Sequence, residues 1–160
     1  MVKAAEIAKI LEENPKLVYD KKDNLIRGEI FLRHKVLDEI INCSYNIEID
    51  FNSQPPLVRE LDKRINNYSH IYRNGVLCLS PDVEQSLFIY ENGLYEWFNL
   101  YVISYFLTYE YYKKYKIYPF GEYSHDEKGQ LESLAKIFGI SEMYVLDMLK
   151  YIVEKRYRGH

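Results

Sequence analysis

The order of elements along the chain predicts an α+β fold. It reads as an N-terminal helix, an antiparallel sheet of about four strands, then C-terminal helices packed on one face of that sheet. Three observations carry this. Residues 4–13 place Ile7, Ile10 and Leu11 at helical spacing, and Pro15 ends the pattern. In residues 39–51 (EIINCSYNIEIDF), Tyr45, Ile47, Ile49 and Phe51 alternate with Asn46, Glu48 and Asp50, the pattern of a half-buried strand. Residues 94–107 are apolar on most helical faces, as in a buried helix.

The remaining elements follow in order. Residues 25–32 (LIRGEIFL) are rich in branched residues and predict another strand. Pro55 and Pro56 cannot continue a central strand, so the chain turns or runs along an edge there. Residues 57–61 predict a short strand. Asn74-Gly75 is a turn signal ahead of the apolar run Val76 to Leu79. Pro81 opens a short helix over residues 82–90, with Ser80 as its cap, and Asn92-Gly93 breaks it. Residues 94–116 predict one long helix, stopped by Pro119 and Gly121. Two more helices are predicted over residues 127–138 and 141–156, with Gly139 as a C-terminal stop and Ser141 as a cap. No repeat or low-complexity linker interrupts residues 1–160, which read as a single domain.

Composition narrows the function classes. The chain has 160 residues, 48% hydrophobic and 28% charged, which is a globular balance with ample material for a core. The net charge is -3, from 24 acidic against 21 basic residues, so no field draws nucleic acid non-specifically. Tyrosine is over-used, at 17 residues, which predicts many half-buried rings whose hydroxyls need partners. In residues 109–118 (YEYYKKYKIY), Tyr and Lys can stack on bases, but the acidic balance favours rings packed inward with lysines in water. Two cysteines are too few for a disulfide framework, residues 1–13 carry charges throughout, and no apolar stretch approaches a membrane span. A cytoplasmic, reducing setting is therefore expected, with no membrane partner.

Chemistry centres on Cys78. On residue type alone it is a small buried hydrophobe, as most unpaired cysteines are, or a loop nucleophile. Cys43 and Cys78 lie 35 positions apart without zinc-ligand spacing, and residues 79–86 (LSPDVEQS) hold neither a glycine cradle nor an arginine for phosphate. Glu122 and His125 have the spacing of a helical metal pair, but no second pair accompanies them, so neither a metal nor a cofactor is expected. Cys43 shares the parity of Tyr45 and Ile47 and should point inward as an inert core residue.

The surroundings of Cys78 carry a resemblance. Residues 45–61 (YNIEIDFNSQPPLVREL) contain an alternating strand and a Pro-Pro turn, and residues 70–79 (HIYRNGVLCL) a loop ending in the cysteine. Together they resemble the core of ubiquitin-conjugating enzymes. In that family an Ile-Tyr pair, a glycine, an aliphatic residue, Cys and Leu follow in the order taken here by Ile71, Tyr72, Gly75, Leu77, Cys78 and Leu79. The resemblance covers residues 1–107 in element order, and its specific part is residues 45–79. The eukaryotic His-Pro-Asn is replaced by Tyr68, Ser69 and His70. Beyond Cys78, the Tyr-rich helix and the Pro119-x-Gly121-Glu122-x-x-His125 pattern are similar to bacterial members found in antiviral operons, including cyclic-oligonucleotide signalling systems.

The resemblance implies a UBC-like fold and a transferase that carries a partner's C-terminus as a thioester on Cys78. The implied partner is a ubiquitin-like protein or the C-terminus of a cyclic-oligonucleotide synthase, with an activating enzyme upstream and an amine as acceptor. It also implies catalytic roles for His70, as a hydrogen-bond donor to the reacting centre, and for His125, as a base or orienting group for the amine. On the residues alone, His70 is equally a loop histidine and His125 a turn residue. An inactive, partner-binding member of the superfamily is the alternative, as is a generic α+β domain with a buried Cys78.

Overall fold

The computed structural model describes residues 4–119 and 126–157. The expected α+β layout is the one observed. Helix α1 (Ala4–Glu13) precedes four strands, β1 (Leu17–Asp20), β2 (Leu25–Val36), β3 (Glu39–Asp50) and β4 (Leu57–Glu60), which form one antiparallel sheet in sequential order. Helices α2 (Asp82–Asn92), α3 (Leu94–Trp97), α4 (Ser104–Tyr115), α5 (Asp126–Phe138) and α6 (Glu142–Tyr157) follow.

The alternation read in β3 holds from Tyr45 to Asp50 and lapses at Cys43 and Ser44, both half-buried. Ile41, Tyr45, Ile47 and Ile49 are buried, together with Ile26, Ile30 and Leu32 of β2 and Val58 of β4. Against this face lie Trp97, Phe98, Val102 and Phe106, each at most 1% exposed. The Tyr45 and Phe106 rings stack with centroids 4.5 Å apart, and the Tyr45 hydroxyl donates to the Glu110 carboxylate, so a buried phenol has its partner.

Strand β1 was not legible as an element in the sequence. It pairs with β2, and Leu17 lies opposite Gly28, whose φ is +140°. A Cβ at Gly28 would sit 2.1 Å from the Lys16 carbonyl oxygen, so only glycine lets β1 approach. The long helix expected over residues 94–116 is a continuous helix of three parts. A π-helical turn, Phe98–Ile103, separates α3 from α4, and the helix ends at Tyr115 with Lys116 left-handed (φ 58°). The π turn is a slip in hydrogen-bond register that residue types do not announce. The entry to α3 is held by α1: the Leu94 amide donates to Glu6 Oε1 at 3.0 Å.

Ser80 does not cap α2. Pro81 takes the N-cap position without a side-chain bond, and the Ser80 hydroxyl lies 3.3 Å from Glu84 Oε2. Gly139 closes α5 as expected, at φ +65°, with the Ile140 amide donating to the Ala135 carbonyl. In the Tyr-Lys run Tyr109 is buried and Tyr111 and Tyr112 pack against the core, while Lys113 and Lys114 are exposed. No helix among the described residues is long and apolar enough to cross a membrane.

Candidate active site

The site is built by the chain between β4 and α2. Glu60 ends β4 buried, and its carboxylate accepts the backbone N–H of Asp62 at 2.9 Å, Arg64 at 2.6 Å and Ile65 at 3.4 Å. One side chain thus organises the start of a loop that has no strand to pair with. Tyr68 then turns inward, 6% exposed, and packs on Tyr105, Tyr109, Tyr112 and Tyr118. The Ser69 and Tyr118 hydroxyls share a hydrogen bond of 2.8 Å.

His70 and Cys78 meet across a two-stranded turn. Asn74-Gly75 reverses the chain: Gly75 has φ +79°, the Tyr72 amide donates to the Val76 carbonyl at 2.8 Å, and Asn74 Oδ1 accepts from the Val76 amide. Ile71 pairs with Leu77, and Val76 pairs with Arg59. The Cys78 amide donates to the His70 carbonyl at 2.9 Å. The two stand eight positions apart in the chain, yet their backbones touch. The His70 imidazole packs against the rings of Tyr68 and Tyr118, each with its centroid 5.2 Å away.

Cys78 is half-buried and lines a cleft of about 190 Å³. Pro55, Pro56 and Leu57 contribute to it, with Tyr72 and Asn74 from the turn and Asp82 and Gln85 from α2. The Pro-Pro segment read from sequence as a turn therefore borders the cysteine, with both prolines buried. Asp82 is the one charged side chain among the described residues lining the cleft. Asp82 is exposed at the cleft edge, and partial desolvation raises its carboxyl from its ordinary value.

No family model, curated protein or solved structure matches this chain.

The two cysteines differ in kind. Neither forms a disulfide. Cys43 packs against the core from β3, on the side its parity predicts, but it is half-buried like Cys78 rather than enclosed in the core. Burial, aided by the nearby Glu110 carboxylate, pushes its thiol up to about 11. Cys78 instead faces a cleft. His70 is brought beside Cys78 through its backbone, while His125 and Glu122 lie outside the described residues. Among the described residues no group of His, Cys, Asp and Glu is arranged to hold a metal ion.

Three groups at this site escaped the sequence reading: Asp82, Gln85 and Tyr105. Asp82 follows the Ser80-Pro81 break and had a local signal, an acid placed just after a candidate nucleophile. Gln85 and Tyr105 had none, because their partners, the Ser80 and His70 carbonyls, are brought near only by folding.

Proposed function

We propose that this protein is a ubiquitin-conjugating-like transferase of the bacterial type, with Cys78 as the thioester nucleophile. The observation that carries the reading is the setting of Cys78: a thiol at a cleft bounded by a Pro-Pro turn, on a backbone paired to the loop before it. The motif in residues 45–79 supplies the family, and the cleft supplies room for the C-terminal tail of a partner.

Charging follows from thiol chemistry. The Cys78 thiolate attacks the carbonyl of an activated C-terminus, an adenylate or a thioester held by an activating enzyme. A C–S bond forms, and AMP or the donor thiolate leaves. Discharge reverses the role of sulfur. An amine attacks the thioester carbonyl, the tetrahedral intermediate collapses, and the Cys78 thiolate departs as the amide forms. The amine sheds a proton, and the Asp82 carboxylate in the same cleft is the group that receives it. The carbonyl oxygen gains charge on the way. The His70 side chain is the proposed donor to it, a role worth on the order of 3 kcal/mol where such donors have been removed. His125 is proposed as a second orienting group for the amine.

The transferred chain is a ubiquitin-like protein or, from the likeness to cyclic-oligonucleotide signalling operons, the C-terminus of a nucleotidyltransferase. The setting is cytoplasmic antiviral defence. One observation favours a second reading, an inactive binding module: the His70 ring is packed among tyrosines, where the eukaryotic enzymes carry His-Pro-Asn. Intact-mass analysis of the wild type and Cys78→Ala, co-expressed with the genomic neighbours, separates them. A thiol-sensitive adduct on the wild type alone supports the transferase. A stable non-covalent complex with no adduct supports the module.

A further inference from the structure

We propose that Tyr105 and Gln85 are the positioning residues of the nucleophile, a pair of core side chains that hold the backbone on both sides of Cys78. The inference rests on the transferase reading. Tyr105, from α4, is 6% exposed, and its hydroxyl donates to the His70 carbonyl at 2.8 Å. That is the same oxygen that accepts the Cys78 amide at 2.9 Å, so both its lone pairs are engaged. Gln85, from α2, is 4% exposed, and its Nε2 donates to the Ser80 carbonyl at 2.7 Å. Its Oε1 accepts from the indole N–H of Trp97 at 3.0 Å, and Trp97 is fully buried in the core.

Burying a phenol, a carboxamide and an indole N–H is unfavourable unless each is hydrogen-bonded. Phenylalanine and methionine would fill the same space without that requirement. What the polar groups add is a fixed position for two carbonyls, one paired to Cys78 and one two residues beyond it. Cys78 is thereby tied to α4 on one side and, through Gln85, to Trp97 on the other. The direction of its thiol into the cleft follows from these ties, and small errors in such geometry slow attack by up to about a hundredfold.

The test uses the full-length protein with Tyr105→Phe, Gln85→Met and, as a stability control, Val102→Ala in the same core. Two quantities are read: the rate of Cys78 alkylation by iodoacetamide across pH, and the level of thioester adduct formed with the co-expressed neighbours. The expected result is a change of about threefold to tenfold in alkylation rate, with a moved pH midpoint, in Tyr105→Phe and Gln85→Met but not in Val102→Ala. Adduct level falls in the same two variants. Folded Tyr105→Phe and Gln85→Met with the rate and midpoint of the wild type overturn the proposal. So does an equal change in Val102→Ala, which would make the effect one of stability alone. If Gln85→Met does not fold, hydrogen exchange at the Cys78 amide decides: faster exchange in Tyr105→Phe is expected, and unchanged exchange overturns the proposal. Failure of the transferase reading looks different. There the wild type alkylates at Cys78 and the variants differ, but no thioester adduct forms on any of them.

Discussion

The contrast between the two cysteines leads to a quantitative expectation. Burial and the Glu110 carboxylate raise the Cys43 thiol from 9.0 to about 11. At any pH below 9.0, its thiolate population is then about a hundredfold smaller than that of an unperturbed thiol. Alkylation proceeds through the thiolate, so this factor passes into the rate, and the packing of Cys43 against the core slows it further. Treatment of the native protein with iodoacetamide at about pH 7.5, followed by peptide mapping, should label Cys43 at least about a hundred times more slowly than a free thiol in the same solution, and more slowly than Cys78. Cys78→Ala should remove the fast phase and leave Cys43 almost unlabelled until denaturant is added. Comparable rates at the two cysteines in the folded protein would refute the assignment of Cys43 to the core and of Cys78 to an open cleft.

Further expectations rest on other parts of the structure. Asp82→Asn should slow discharge to an amine by about a hundredfold or more at neutral pH. The desolvation that raises the Asp82 pKa and the dipole of α2, whose first turn holds Asp82, act in opposite directions on the ionised carboxylate, so stability should change by less than about 1 kcal/mol. A larger change on denaturant titration would contradict that balance. Gly28→Ala should destabilise the protein by on the order of 3 kcal/mol, because φ is +140° and the new Cβ meets the Lys16 carbonyl oxygen at 2.1 Å. An unchanged denaturation midpoint would contradict it. Glu60→Ala leaves the Asp62, Arg64 and Ile65 amides without their carboxylate, at about 2 kcal/mol. Thioester formation should fall with it, since the loop leads to His70; full activity would show that the loop keeps its shape without Glu60.

What the sequence disclosed follows from what is local. The alternation of Tyr45, Ile47 and Ile49 needs no knowledge of a partner strand, and β3 was legible from it. Strand β1 has only four residues, and the feature that admits it, Gly28 on another strand, acquires meaning only when Leu17 lies opposite. The π turn at Phe98–Ile103 lies inside an unbroken run of helix-compatible residues, so the helix was visible and its slip was not. At the candidate site, Cys78 and the Pro-Pro turn stood out because their motif is short and contiguous. Tyr105 and Gln85 did not, because a tyrosine and a glutamine on helices become significant only when His70 and Ser80 present carbonyls to them. Tyr68 read as a departure from the eukaryotic pattern; its place in a cluster of tyrosines supplies a packing reason for that departure.

The most direct test of the central claim is intact-mass analysis of the protein purified with its genomic neighbours, with and without a reducing agent. Wild type, Cys78→Ala and the Cys78→Lys trap are run side by side. The expected result is an adduct on the wild type that thiols remove, none on Cys78→Ala, and the same added mass on the trap, now resistant to thiols because an amide has replaced the thioester. Folded wild type and trap that both remain at their bare mass, with an activating partner shown to be active, would contradict the claim that Cys78 carries a partner's C-terminus.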